Sequence, residues 1–371
     1  MRVLHVYRTF FPDTQGGLEE VIRQICKNTQ AHGVESRVFC LSHQPEPAIV
    51  EYDGITVYRA KCTLEIASCD ISLSALGLFK DLVQWADLVH YQFPWPFADM
   101  LHLAARVTKP TVLTYQSDIV RQQGLLKLYR PLKRKFLKQM TAIVATSPNY
   151  FATSAMLQQH AEKVTVIPIG VDDASYPQVT DSDVEAMRLR VGENFFLFIG
   201  VLRYYKGLHI LLDAVKNSDL PVVIVGRGSE ESALKAQAQR LGLKNVQFLG
   251  YVSNAEKVAL LKLALAVVFP SHLRSEAFGV SLLEGAMYGK PMICCEIGTG
   301  TSFVNADGET GLVVAPQDPQ QFCAAMETLA ANPTQVAHYG RAARLRYEQL
   351  FTGRKMGADY AALYKKLLIN A

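Results

Sequence analysis

Four segments combine residue types and spacing that could do chemistry, and three of them lie in the second half of the chain. The first is Ser275-Glu276-Ala277-Phe278-Gly279-Val280-Ser281-Leu282-Leu283-Glu284, which follows the apolar run Ala266–Phe269 and opens a helix around Gly279. A glycine at a helix start lets an anionic group approach free backbone N–H donors at the positive end of the helix dipole. Glu276 falls on the loop ahead of that helix and Glu284 on its second turn; a loop acid and a surface helix acid are the plain alternative. The second segment is Gly200-Val201-Leu202-Arg203-Tyr204-Tyr205-Lys206-Gly207. Arg203 and Lys206 come directly after a strand end, where open α/β sheets take ligands. Two cations there suit a diphosphate, the Arg through two parallel bonds and the Lys as a point charge; otherwise they decorate a solvated turn. The third, Val225-Gly226-Arg227-Gly228-Ser229-Glu230, is a tight strand-to-helix turn in which the dinucleotide fingerprint fails, because Glu231 takes the last glycine position. The fourth is Asp13-Thr14-Gln15-Gly16-Gly17-Leu18, where paired glycines at a helix start could cradle a phosphate or a sugar's leaving oxygen, or serve a turn of unusual φ.

The elements that must position these segments follow a repeated rhythm of a short β-branched run and then a longer helical pattern. Strands are expected at Arg2–Tyr7, Ser36–Leu41, Ile55–Arg59, Leu88–Tyr91, Thr111–Tyr115, Ala142–Thr146 and Lys163–Ile167. In the second half they are expected at Phe195–Gly200, Pro221–Gly226, Val246–Leu249, Ala266–Phe269, Pro291–Cys294 and Gly311–Val314. Near-continuous apolar strands separated by amphipathic helices such as Glu19–His32 and Glu230–Leu241 indicate parallel sheets covered on both faces. With 371 residues the chain has room for two domains, and 49% hydrophobic with 19% charged residues excludes disorder. A stretch rich in Asp, Ser, Pro and Thr, Gly170–Asp183, separates the halves. Two Rossmann-like, doubly wound domains facing a cleft are expected, residues 1–175 and 176–345. A net charge of +4 is too mild for bulk nucleic-acid binding. Seven cysteines without a C-x-x-C pair read as reduced, mostly buried thiols.

Together these segments resemble the retaining sugar-nucleotide glycosyltransferases of family 4, which have the GT-B fold, and the resemblance runs from the Gly16-Gly17 loop to Tyr364. Its most specific part is Glu276 with Glu284, the family's E-x7-E pair, in the context of Phe278-Gly279. Arg203 and Lys206-Gly207 match the family's donor-phosphate site, and Gly298-Thr299-Gly300-Thr301 and Gly308-Glu309-Thr310-Gly311 match its donor-domain loops. Residues 346–371, with the helical stretch Tyr360–Leu368, resemble the C-terminal helix that crosses back to the N-terminal domain. The resemblance implies that Arg203, Lys206 and the N–H groups of Gly279 and Val280 hold the donor diphosphate, with Gly17 supporting it across the cleft. Glu284 would accept from the ribose hydroxyls and Glu276 from the sugar; Gly16, Gly226 and Phe278 belong to the same donor site. It further implies retention of configuration, with no metal and no cofactor besides the nucleotide-sugar. One position departs from the pattern: Gln116 stands where the family carries a His near the donor sugar. Gln hydrogen-bonds a hydroxyl but takes no proton near neutral pH. His90 could lie near the cleft, although a packed structural His is the commoner outcome.

The opening Val6–Pro12 and the stretch Tyr115–Gln122 look like bacterial mannosyltransferases of O-antigen assembly, which implies GDP-mannose as donor and a lipid-linked saccharide as acceptor. A UDP-sugar such as UDP-GlcNAc or UDP-glucose is the alternative. Rivals from other classes are a nucleotide-sugar epimerase, a two-lobed solute-binding protein and a nicotinamide oxidoreductase; the last is opposed by Arg8-Thr9-Phe10-Phe11-Pro12 where a glycine fingerprint belongs. From Ile119 to Ala161 there is no acidic residue, while Arg121, Lys127, Arg130, Lys133, Arg134, Lys135 and Lys138 are basic and interleaved with leucines and aromatics. Residues 121–138 are therefore expected to form a helix that either packs one face on the core or lies on an anionic bilayer. No apolar run is long enough to span a membrane and the Met1–Tyr7 run is too short for a signal peptide, so a cytoplasmic protein, peripheral on the inner face of the cell membrane, is expected.

Overall fold

A computed structural model describes residues 1–66, 69–118 and 123–370, without the side chains of 123–128. The chain forms two compact units: Met1–Gly170 with Gly353–Ala371, and Val171–Thr352.

The first unit runs β1 (Arg2–Val6), α1 (Gly17–Gln30), β2 (Glu35–Ser42), β3 (Ile49–Tyr52), β4 (Ile55–Lys61), β5 (Leu64–Ile66), β6 (Cys69–Ile71), α2 (Ala75–Trp85), β7 (Leu88–Phe93), α3 (Pro96–Ala105), β8 (Thr111–Tyr115), α4 (Gln123–Gln139), β9 (Ala142–Ala145), α5 (Pro148–Thr153), α6 (Ala155–Gln158) and β10 (Val164–Val166). Its main sheet has the order β10-β9-β8-β7-β1-β2-β4-β3. Every pairing is parallel except β3 with β4. Val3, Leu4, Val6, Leu88 and Val89 have no exposed surface, as strands covered on both faces require. All of the strands expected in this half are present; β3 and the small antiparallel pair β5–β6 were not expected. β3 and β4 are joined by Asp53-Gly54, both at positive φ (52° and 76°), the geometry of a two-residue hairpin turn.

The second unit runs α7 (Asp181–Val191), β11 (Phe196–Ile199), α8 (Leu208–Ala214), β12 (Val222–Val225), α9 (Glu231–Arg240), β13 (Val246–Gly250), α10 (Asn254–Leu263), β14 (Ala266–Phe269), α11 (Val280–Met287), β15 (Met292–Cys295), α12 (Thr301–Val304), β16 (Gly311–Val314), α13 (Pro319–Ala331) and α14 (Pro333–Leu350). The order β13-β12-β11-β14-β15-β16, parallel throughout, is the Rossmann order, which reverses between β11 and β14. Ligands bind outside the carboxyl ends of the two strands at such a reversal, so the loops after β11 and β14 are where the fold itself directs attention.

The final helix, α15 (Gly353–Ile369), belongs to the first unit and packs on α1. Gly357 makes this approach feasible, because a Cβ there would come within 2.5 Å of Asn28 Cβ. All seven cysteines are free thiols, five of them buried.

Candidate donor site

The loops after β11 and β14 bring Lys206 and Glu276 into contact. Lys206 Nζ donates to Glu276 Oε2 in an ion pair whose side chains are 12% and 11% exposed. Ser271 Oγ lies 3.3 Å from the same carboxylate oxygen, and the Lys206 ammonium sits 4.7 Å from the centre of the Phe269 ring. The cation is thus held over an aromatic face as well as beside a carboxylate. Gly207, at φ 70°, allows this turn: a Cβ there would lie 2.0 Å from Pro270 O. Arg203, three residues upstream in the same loop, is exposed.

Helix α11 starts at this point. Gly279, at φ 95°, turns the chain into the helix, and Ser281 Oγ donates to Ile199 O at 2.7 Å, fixing the first turn to the end of β11. Phe278 is 2% exposed and edge-on to Phe351, so it supports the loop from beneath. The Gly298–Thr301 loop lies directly on this segment: Gly300 N donates to Ala277 O at 2.8 Å, and a Cβ on Gly300 would meet Phe278 at 2.5 Å. Glu284, one turn into α11 and 5% exposed, accepts from Tyr176 Oη at 2.8 Å and Lys257 Nζ at 2.6 Å. Neither partner carried a sequence signal. Gly226 touches backbone: its Cβ would come within 1.9 Å of Gly200 O, so the turn after β12 closes against the end of β11.

His272 is a further residue that sequence reasoning passed over. It is 5% exposed, its ring packs edge-on to Tyr204 and His209, and Nδ1 has no hydrogen-bond partner among the described residues. Burial, and then the neighbouring His209, lower its pKa.

In the first unit, Gly16 and Gly17 start α1. The Glu19 carboxylate occupies that terminus, accepting from Thr9 Oγ1 and Thr14 Oγ1, both at 2.9 Å, and a Cβ on Gly16 would lie 2.5 Å from Glu19 Oε2. A second anion there would meet this charge, so a neutral hydroxyl suits the terminus better than a phosphate. Gln116 follows β8, is 5% exposed and donates from Nε2 to Gln92 Oε1 at 2.9 Å. His90 is fully buried and hydrogen-bonded to Tyr364 and Thr114.

On α4, Phe136 and Leu137 have no exposed surface, and Tyr129 Oη donates to the buried Asp99. These apolar and aromatic groups serve the core, which leaves Arg130, Arg134, Lys135 and Lys138 exposed. Arg121 and the side chains of Leu125, Leu126, Lys127 and Leu128 lie outside the described residues. Among the described residues, no helix is long and apolar enough to cross a membrane.

His43, Cys62 and Asp70 bring potential metal donor atoms within 4.8 Å of one another. Burial, and then the Asp70 charge, raises the Cys62 pKa, so its thiol holds its proton, and the Arg8 guanidinium shares the field of Asp70. Asp181-Ser182-Asp183 has the spacing of a metal-binding pair but caps α7, where Asp183 accepts from Thr180 N at 2.8 Å and Thr180 Oγ1 at 2.7 Å.

Residues 15–175 match the description Glycosyltransferase Family 4, and residues 180–346 match Glycosyl transferases group 1. The chain is 54% identical to the D-rhamnosyltransferase WbpZ of Pseudomonas aeruginosa, over 95% of this chain and 92% of that protein. It is 48% identical to the O-antigen chain mannosyltransferase C of Escherichia coli, over 99% of each. Among solved structures, the sucrose-phosphate synthase of Thermosynechococcus elongatus superposes with a TM-score of 0.81 at 20% identity, over 100% of both chains. The fold is GT-B, and the chain belongs to the glycosyltransferases, with a family 4 segment followed by a group 1 segment.

Proposed function

We propose that this glycosyltransferase moves an α-mannosyl group from GDP-mannose, with retention, onto a lipid-linked saccharide in O-antigen assembly. The observation that carries a nucleotide-sugar reading is the meeting of Lys206, Glu276 and the start of α11 at the β11/β14 reversal. The mannosyl and O-antigen parts rest on the similarity to the E. coli mannosyltransferase along the whole chain.

In this reading Arg203, Lys206 and the N–H groups of Gly279 and Val280 take the diphosphate, and charge developing on the leaving group is met by fixed donors and cations. Glu276 accepts from sugar hydroxyls and Glu284 from the ribose, Tyr176 and Lys257 holding the Glu284 carboxylate in place. Gly226 and Phe278 shape the site from behind, and Gly16 and Gly17 offer amides to a hydroxyl. Cationic side chains and a helix terminus do the work of a metal. The acceptor oxygen forms its bond to the anomeric carbon on the face from which the phosphate oxygen departs, and that oxygen takes the acceptor's proton. The exposed cations of α4 would rest on anionic lipid, bringing a membrane-bound acceptor within reach at the inner face of the cell membrane.

A second reading, a D-rhamnosyl donor, is favoured by the similarity to the P. aeruginosa enzyme. Thermal shifts with GDP, UDP, GDP-mannose and UDP-glucose separate the donors: a ligand at 100 times its Kd adds about 2.7 kcal/mol. Stabilisation by GDP and GDP-mannose is expected; stabilisation by UDP alone overturns the donor. Release of GDP that rises when lipid-linked saccharide is added separates transfer from epimerisation or simple binding.

A further inference from the structure

Three side chains of the first unit that sugar transfer does not use meet beside the small hairpin β5–β6. Strands β2 and β4 are parallel neighbours in the register Ser42↔Lys61, and Cys62 N donates to Ser42 O at 2.7 Å. The next residues of the two strand ends, His43 and Cys62, therefore emerge side by side. From Cys62 the chain turns straight into the hairpin, where Thr63 N donates to Ile71 O at 2.8 Å. Asp70 returns on β6 next to Cys62, whose Sγ lies 3.9 Å from Asp70 Oδ1. Trp95 Nε1 donates to Asp70 O at 3.1 Å and anchors β6 at the start of α3. One imidazole nitrogen, one sulfur and one carboxylate oxygen are thereby gathered within 4.8 Å of one another.

The carboxylate calls for a cation. Asp70 is 9% exposed, and the long thiol contact is the one hydrogen bond its side chain makes among the described residues, with no ion pair among them. Arg8 acts on it through its field. Buried carboxylates are ordinarily paired with a cation or bound to a metal. A nitrogen, a sulfur and an oxygen donor form a set that zinc takes, at about 2.0–2.3 Å from each, with a water in the fourth tetrahedral position. The 3.9 Å between Cys62 Sγ and Asp70 Oδ1 is already close to the roughly 3.6 Å that two tetrahedral zinc ligands of these types keep. His43 is exposed, so its ring is reached from solvent and can rotate to close the remaining distance.

We infer that His43, Cys62 and Asp70 form a reversible zinc site, distinct from the donor-binding residues of the second unit, that clips the hairpin β5–β6 to the end of β2. When the ion binds, the Cys62 thiol gives its proton to solvent and a sulfur–zinc bond takes its place, so that thiolate and carboxylate together match the charge of the ion. A two-stranded hairpin with three-residue strands is marginal by itself, and a metal bond across its base adds a constraint that a long S–H···O contact does not. Three protein ligands and an exposed imidazole keep the ion exchangeable.

The test uses the full chain, stripped with a chelator that is then removed. Zn²⁺ is expected to raise the melting temperature and to bind in calorimetry as one ion per chain, whereas Mg²⁺ does neither. Co²⁺ in its place is expected to give a thiolate-to-metal charge-transfer band in the near ultraviolet and the visible bands of a tetrahedral ion. His43→Ala, and Asp70→Asn, which keeps the shape and removes the buried charge, are each expected to weaken Zn²⁺ binding at least about 100-fold, more than loss of an outer-sphere partner costs. Cys62→Ser abolishes the near-ultraviolet band, whereas Cys69→Ser, on the same hairpin with its thiol turned to Asp70 O, keeps it. Should Asp70→Asn or Cys62→Ser fail to fold, His43→Ala, at an exposed position, still decides. A wild-type chain that neither melts higher with Zn²⁺ nor shows the cobalt band overturns the site. So does a band that survives Cys62→Ser or disappears in Cys69→Ser, a Zn²⁺ affinity unchanged in His43→Ala, or a melting shift with Mg²⁺ as large as with Zn²⁺.

Discussion

Lys206→Ala separates what the cation does for the fold from what it does for the reaction. In the folded protein it neutralises Glu276, and removing it leaves that carboxylate, 11% exposed, beside the Ser271 hydroxyl at 3.3 Å. Breaking a fully buried pair from one side costs about 3–5 kcal/mol, and the remaining solvent contact here reduces that to about 2–3 kcal/mol. At about 2–4 °C per kcal/mol for a unit of this size, the melting temperature should fall by roughly 4–12 °C. In the reaction, loss of one preorganised partner of the leaving group from a site of this kind should slow turnover by about 10²–10³-fold. Lys206→Ala/Glu276→Gln removes the stranded charge and should recover most of the stability and none of the turnover. GDP release from GDP-mannose, followed by chromatography alongside thermal melts, reads both quantities. A single variant turning over within threefold of wild type, or a double variant recovering turnover, would refute the assignment of Lys206 to the diphosphate.

The remaining expectations concern backbone, protonation and surface. Gly226→Ala, at φ 130° with Gly200 O in the way, should cost more than about 3 kcal/mol in melts of the second unit, whereas Gly77→Ala, exposed on α2 with open space around it, should add about 0.5–1 kcal/mol. His5 and His90 are buried and neutral, and burial pulls the pKa of His5 down to about 3. The unfolded chain therefore takes up protons first as pH drops, so stability is fully present above about 6.5 and falls towards pH 3 by up to about 1.4 kcal/mol per pH unit for each ring. Denaturant titrations at pH 7 and pH 5 check the sign, and equal stabilities would contradict it. Reversing Arg130, Arg134, Lys135 and Lys138 to Glu should abolish sedimentation with anionic liposomes at low salt while shifting the melting temperature little, because all four side chains are exposed.

What was legible in the sequence follows the physics of the signal. The buried parallel strands announce themselves as short β-branched runs, and each run read this way is a strand. β3 went unread although Asp53-Gly54 carries a hairpin signal, because Ile49-Val50-Glu51-Tyr52 is too short and too exposed to give a periodic pattern. Lys206 and Glu276 could be found because each lies in the loop that follows a strand, and these loops meet where the strand order reverses. The partners of Glu284 could not: Lys257 and Tyr176 are 27 and 108 residues away, and only the folded chain brings them together. The same holds for Gln92, one residue past the expected strand Leu88–Tyr91, whose amide meets Gln116 only in the folded chain.

The pairing of Lys206 with Glu276 adds something that neither motif contained. Taken separately, the cation was assigned to a phosphate and the carboxylate to a sugar, as if each waited with an open charge. Paired, they nearly cancel, and the diphosphate must compete with Glu276 for the ammonium. That competition is softened when sugar hydroxyls arrive with the diphosphate and donate to Glu276, replacing the bond it gives up. A bare phosphate offers no such replacement. The two residues together therefore favour a ligand that carries an anion and adjacent hydroxyls in one molecule, and a nucleotide-sugar has both.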